Sequence, residues 1–176
     1  MASIVLQDYP GVHWWCPQLP PSPQQAMHEV MAEISTWPHV KKLENMAVIG
    51  SSLGGFYATW VAEKTGCKAV LLNPAVDPAR YLSSYIGEQS AWHDPDEKFF
   101  FKTEFVAELN ALQTGPLKAP RNYMPIIAKG DEVLDWREMT SRYAGTQMRL
   151  LEGSDHALSD FDDHLPAILD FLNLSA

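Results

Sequence analysis

The sequence predicts an α/β fold, a mostly parallel sheet covered by helices. Three observations carry this reading. Short apolar runs alternate with helix-period segments along most of the chain. The apolar run that ends at Gly50 turns sharply into a helical pattern. A composition of 46% hydrophobic and 11% aromatic residues supplies a sizeable core and lies far from the charge-rich signature of disorder. At 176 residues the chain fits one compact domain, read as residues 1–176.

The elements follow in order. Val12 to Cys16 reads as a short strand, and Pro17-Gln18-Leu19-Pro20-Pro21 must leave it as a loop because prolines interrupt both helix and central strand. Ser22 and Pro23 supply an N-cap and a first-turn proline. Ala26, Met27, Val30, Met31, Ile34 and Trp37 then recur at helical spacing, with an end near Pro38. Asn45 to Ile49 is the next strand, Phe56 to Lys64 a helix closed by Gly66, and Ala69 to Leu72 a third strand. Asp77-Pro78 caps a helix through Tyr81 and Ile86. Gly87 to Asp96 has no steady period and reads as a loop or lid over one face. Phe105, Leu109 and Leu112 mark a helix. Tyr123 to Ala128, Met148 to Leu151 and the helix-period run from Phe161 to Phe171 complete the alternation.

Charge narrows the function classes. A net charge of −9 repels phosphate backbones and anionic membrane surfaces, so nucleic acid and membranes are not expected partners. No apolar run reaches the roughly 18 residues that span a bilayer, and the segment from Met1 to Asp8 lacks the basic and apolar regions of a signal peptide, so a cytoplasmic protein is expected. Cys16 and Cys67 match no metal-ligand spacing and read as buried thiols. No cofactor and no metal is called for.

Gly50-Ser51-Ser52-Leu53-Gly54 fits the Gly-x-Ser-x-Gly nucleophile elbow, in which a strained strand-to-helix turn presents a serine oxygen. Composition alone predicts roughly 0.04 such pentapeptides, and here the pattern falls between a strand and a helix. No Gly-Lys-Ser/Thr follows, which disfavours a phosphate loop. A serine hydroxyl needs a base, and His156 follows the last strand on the loop Glu152-Gly153-Ser154-Asp155. His13, His28, His39, His93 and His164 read as surface or packing residues. Asp131, just past Tyr123 to Ala128, fits the acid that orients the imidazole. Its rival Asp135 stands three residues before Glu138 and reads as a helix cap. The order Ser52, Asp131, His156 is that of α/β hydrolases.

These residues resemble the YqiA-like esterases, small α/β hydrolases. The matching segments are Cys16-Pro17-Gln18-Leu19-Pro20-Pro21, the run from Gly50 to Thr59, Asn73-Pro74-Ala75, the run from Gly130 to Asp135, and His156-Ala157. The resemblance implies a three-layer sandwich with a minimal cap, Ser52, Asp131 and His156 as triad, and activity on short acyl esters; the reading of Ser52 as nucleophile takes a small-molecule ester or thioester as substrate. It also implies an opening strand that runs into a His-Gly-Phe loop, for which this chain has no counterpart, so the first family strand is expected to be missing.

That loop gives one of two oxyanion donors; the other is the N–H of the residue after the nucleophile, here Leu53. A chain with one donor is expected to hydrolyse esters slowly, and a catalytically silent relic acting as a binding or interaction module is the alternative reading. The missing strand would open the sheet between Val12 to Cys16 and Asn45 to Ile49. Filling by Ser3 to Leu6 as an antiparallel strand, direct closure, or pairing with another copy through exposed edges are the expected ways to close it.

Overall fold

The computed structural model describes residues 1–37, 45–90 and 98–174. Its main sheet has four parallel strands: β1 (Ala47–Ser51), β2 (Lys68–Leu72), β5 (Tyr123–Ala128) and β6 (Arg149–Leu151), in the order β1-β2-β5-β6. Alternate residues serve opposite faces, as the strand period of two demands. Ala69, Leu71, Tyr123 and Ile127 enter the larger core, against α2 (Pro23–Thr36), α3 (Leu53–Thr65), α5 (Thr103–Ala111) and α6 (Trp136–Arg142). Val70, Met124 and Ile126 enter the smaller one, against Ile168 and Phe171 of α7 (Phe161–Phe171). The fold is therefore α/β with helices on both faces of the sheet, as expected.

Local chemistry sets the helix bounds. Ser22 caps α2, its hydroxyl accepting from Gln25 N–H at 3.2 Å and donating to Glu108 of α5 at 2.7 Å. The buried positions of α2 are Pro23, Ala26, Met27, Val30 and Ile34, close to the predicted stripe. α3 is apolar almost all round and ends on Gly66, whose φ of 79° suits the left-handed cap. Asp77 caps α4 (Pro78–Leu82) by accepting from Arg80 N–H.

Five expectations change. Val12 to Cys16 forms no strand: it crosses the surface in irregular conformation, with His13 packed edge-on against Trp37 and Cys16 exposed rather than buried. Ser3 to Leu6 lies in α1 (Ala2–Asp8), so it fills no sheet position; its run lacks the strand alternation, and Val5 buries one helical face. The sheet accordingly has no central gap, and β1 is its edge among the described strands. The segment from Gly87 contains an antiparallel hairpin of β3 (Gly87–Ser90) and β4 (Lys98–Phe101), where aromatic Phe100 and Phe101 supply the strand preference. The positions expected for His39 and His93, and residues 91–96 of the expected lid, lie outside the described residues.

Candidate active site

All the predicted chemistry gathers at the carboxyl ends of the parallel strands, where open α/β sheets place their sites. Ser52 follows β1 directly and is the N-cap of α3, with φ 52° and ψ −120°, a conformation that non-glycine residues adopt only when their surroundings enforce it. The enforcement is visible. Ser52 N–H donates to Leu72 O at 2.9 Å, while Ser52 O accepts from Gly55 and Ala75 N–H at 2.9 and 3.0 Å. A Cβ on Gly50 would lie 2.1 Å from Gly54 O, and one on Gly55 2.7 Å from Pro74 Cβ, whereas Gly54 has open space. Close approach therefore rests on Gly50 and Gly55, not on the second glycine of the pentapeptide.

The structure brings the three predicted residues together. His156 Nε2 lies 3.1 Å from Ser52 Oγ, and its Nδ1 lies 2.8 Å from Asp131 Oδ2. The other oxygen of Asp131 accepts from the N–H groups of Val133 and Leu134, both at 2.8 Å. Its side chain is fully buried, so these three hydrogen bonds replace the water that a carboxylate otherwise requires. Asp135 does something else: it caps α6 by accepting from Arg137 N–H at 2.9 Å. Glu138 leaves the capping-box arrangement unfinished, its carboxylate being engaged by Arg80 and Tyr81. Leu53 opens α3, and as a first-turn residue its N–H has no helical carbonyl to bond.

The histidine loop is braced along its length. Asp155 accepts from the hydroxyl and N–H of Ser159, and these bonds hold its carboxyl below the usual range. Asp160 accepts the Ser154 hydroxyl, which likewise lowers its carboxyl, and faces His164 Nε2 at 3.4 Å. His164 is buried, as a packing histidine, with neither ring nitrogen hydrogen-bonded. Ser154 also packs its carbonyl against Gly130, where a Cβ would come within 2.1 Å, so the loops that carry His156 and Asp131 touch through a glycine.

Two residues escaped the reading of the sequence as site groups. Glu132 accepts from His156 N–H at 3.1 Å, and Asn73 donates to the carbonyls of Asp155 and His156 at 2.9 and 3.1 Å. A signal existed for Asn73: an asparagine before proline at the carboxyl end of a strand, in a segment that the family resemblance had already singled out. Among the described residues, no group of acidic, histidine and cysteine side chains is placed to hold a metal ion.

The architecture recurs in solved structures. The alpha/beta superfamily hydrolase from Oenococcus oeni PSU-1 is 14% identical, with 89% of this chain and 77% of that one covered at a TM-score of 0.56. Alpha/beta hydrolase domain-containing protein 10 from mouse is 15% identical, covering 86% and 70% at 0.62. A structure of the metagenome-derived lipolytic enzymes LipS and LipT is 17% identical, covering 88% and 74% at 0.60. At such identities the likeness is one of fold, and the fold is that of α/β hydrolases. A family model spans residues 1–173, and the chain thus belongs to the family it describes, Uncharacterised protein family (UPF0227), the YqiA-like group that its motifs resemble.

Proposed function

We propose that this chain is a serine esterase, a single α/β-hydrolase domain that hydrolyses small carboxylic esters or thioesters of short acyl chains. One observation carries the reading: Ser52 Oγ, the His156 ring and the buried Asp131 carboxylate form an unbroken hydrogen-bonded line at 3.1 and 2.8 Å. The lipolytic neighbour of the same fold supports it, and so does the net charge of −9, which suits a small-molecule substrate better than a nucleic acid. Among the described residues no helix is long and apolar enough to cross a membrane.

In this reading each residue has one role. Ser52 Oγ attacks the ester carbonyl carbon as His156 Nε2 takes its proton; Asp131, bonded to Nδ1, stabilises the resulting imidazolium and fixes the tautomer. The carbonyl oxygen becomes an oxyanion, to which Leu53 N–H donates. Collapse expels the alcohol or thiol, which leaves with the proton from Nε2, and the acyl group stays on Ser52. Water then attacks the acyl carbon, giving a proton to Nε2; the bond from the acyl carbon to Ser52 Oγ breaks, Oγ takes that proton back from Nε2, and the acid is released.

The test is labelling with a fluorophosphonate probe, paired with hydrolysis of a chromogenic acetate. Labelling and turnover are expected in the wild type and in Ser51→Ala, and neither in Ser52→Ala. Full labelling of Ser52→Ala, or its loss in Ser51→Ala alone, overturns the assignment of the nucleophile.

A further inference from the structure

Asn73 is the first residue beyond β2, between the nucleophile turn and the acid loop, and it is completely buried. Its φ of 40° is left-handed, a conformation that asparagine tolerates better than most residues. The backbone is anchored by Asn73 N–H donating to Ile126 O at 2.9 Å. The side-chain amide uses both its ends. Oδ1 accepts from Ala128 N–H at 2.8 Å, while the two hydrogens of Nδ2 go to the carbonyls of Asp155 and His156 at 2.9 and 3.1 Å. The partners fix the orientation of the amide, because only a nitrogen can satisfy two carbonyls and only an oxygen an N–H.

Resting on the serine-esterase reading above, we propose that Asn73 is a positioning residue, tying the peptide that carries His156 to the ends of β2 and β5 and so setting the distance from Nε2 to Ser52 Oγ. A residue needed only for strand packing would be satisfied by Ala128. Asn73 instead reaches 82 and 83 residues along the chain to the peptide of the base. Its companions do the same for the nucleophile: Pro74 packs on Gly55, and Ala75 N–H holds Ser52 O. The second brace on His156, from Glu132 to its N–H, is exposed and competes with water, whereas the bonds from the fully buried Asn73 are part-buried. β6 is only three residues long, so the loop it launches depends on such ties.

The decisive variant is Asn73→Asp, which keeps shape, left-handed tolerance and the bond to Ala128 but faces the two carbonyls with an oxygen. Asn73→Gly, which keeps the backbone and removes the side chain, is the second. Turnover per folded molecule is measured on a chromogenic acetate, and fluorophosphonate labelling is followed on both wild-type and His156→Ala backgrounds. The expected result is a fall in kcat of about 10²-fold with KM within about twofold, the scale of a misplacement near 1 Å. On the His156→Ala background the same change should alter labelling less than about twofold, since the two residues act through one group. Equal losses on both backgrounds, or an effect confined to KM or to thermal stability, overturns the positioning role. The esterase reading has its own arm: labelling that survives Ser52→Ala defeats that reading, whereas normal kcat in both Asn73 variants defeats only this inference.

Discussion

Asp131→Asn separates orientation from stability, because the structure dictates how the amide would sit. Oδ1 of Asp131 accepts from two backbone N–H groups, Val133 and Leu134, both at 2.8 Å. An asparagine here must therefore keep its oxygen on that side, which points its NH₂ at His156 Nδ1, 2.8 Å away in the wild type. Two donors cannot face one another, so the ring takes the tautomer with its proton on Nε2. That nitrogen then has no lone pair for the Ser52 proton. Losing the base in this way costs about 10⁴ in kcat, near 5.5 kcal/mol. Stability should fall little, since the two backbone bonds persist. Asp135→Asn keeps an oxygen for Arg137 N–H and asparagine is as good a cap, so its kcat should stay within about twofold. Steady-state hydrolysis of a chromogenic ester, normalised to folded protein by circular dichroism, measures both. An Asp131→Asn enzyme within about tenfold of wild type, or equal loss at the two positions, would refute this account of the acid.

Two further predictions concern stability. Gly54→Ala should stabilise the fold by about 0.5–1 kcal/mol, because a Cβ there meets nothing within 4 Å and glycine is a poor helix residue, while Gly55→Ala should lower stability by pressing on Pro74; urea unfolding of the two variants compares them. At alkaline pH the fold should weaken: burial pushes the Tyr57 and Tyr123 hydroxyls well above the ordinary range, and in Tyr123 the bond to Glu63 adds to it. The unfolded chain loses these protons near pH 10 while the folded one keeps them, so stability is full below that point and falls as pH rises, by about 1.4 kcal/mol per unit for each group. Urea midpoints from pH 9 to 11 should show the decline, with a shallower slope in Tyr123→Phe.

The strands and the site were legible in the sequence for different reasons. Tyr123 to Ala128 is buried on both faces, so its apolar run and its observed bounds coincide. Ser52, His156 and Asp131 could be found because each follows a strand, and a parallel sheet brings strand ends together whatever the loops between them. Val12 to Cys16 failed because Trp14, Trp15 and the prolines after them favour an extended path without a strand partner to require it; edge pairing is a tertiary fact that no local window contains. The hairpin from Gly87 was hidden for the opposite reason, its β3 residues Gly-Glu-Gln-Ser having no strand preference apart from the partner β4. Asn73 and Glu132 act on His156 through backbone atoms, and a contact with a carbonyl or N–H leaves no residue pattern at the receiving end.

The five non-glycine residues with positive φ are Ser52, Asn73, Ser154, Leu158 and Asn173 among the described positions, and the first four lie in the nucleophile turn, the segment after β2 and the histidine loop. Conformations of this kind cost of order 1–3 kcal/mol each and persist only where the surroundings over-determine them. Here the over-determination differs at each place. Ser52 is held by backbone bonds to Leu72, Gly55 and Ala75, Asn73 by four hydrogen bonds of its own, and the histidine loop by Asp155 and Asp160 as local acceptors. Strain so distributed requires a platform that does not yield, and β2 and β5 supply it, with Val70, Leu71, Ile126, Ile127 and Ala128 all fully buried between two helical layers. The segment after β2 meets both the Ser52 turn and the His156 loop, so a change there should reach both partners of the 3.1 Å contact, while a change in the Asp131 loop reaches only the histidine side of it, through the ring and the His156 peptide. That asymmetry places the geometric control of the Ser52–His156 contact at Asn73-Pro74-Ala75, outside the three residues proposed to carry the chemistry.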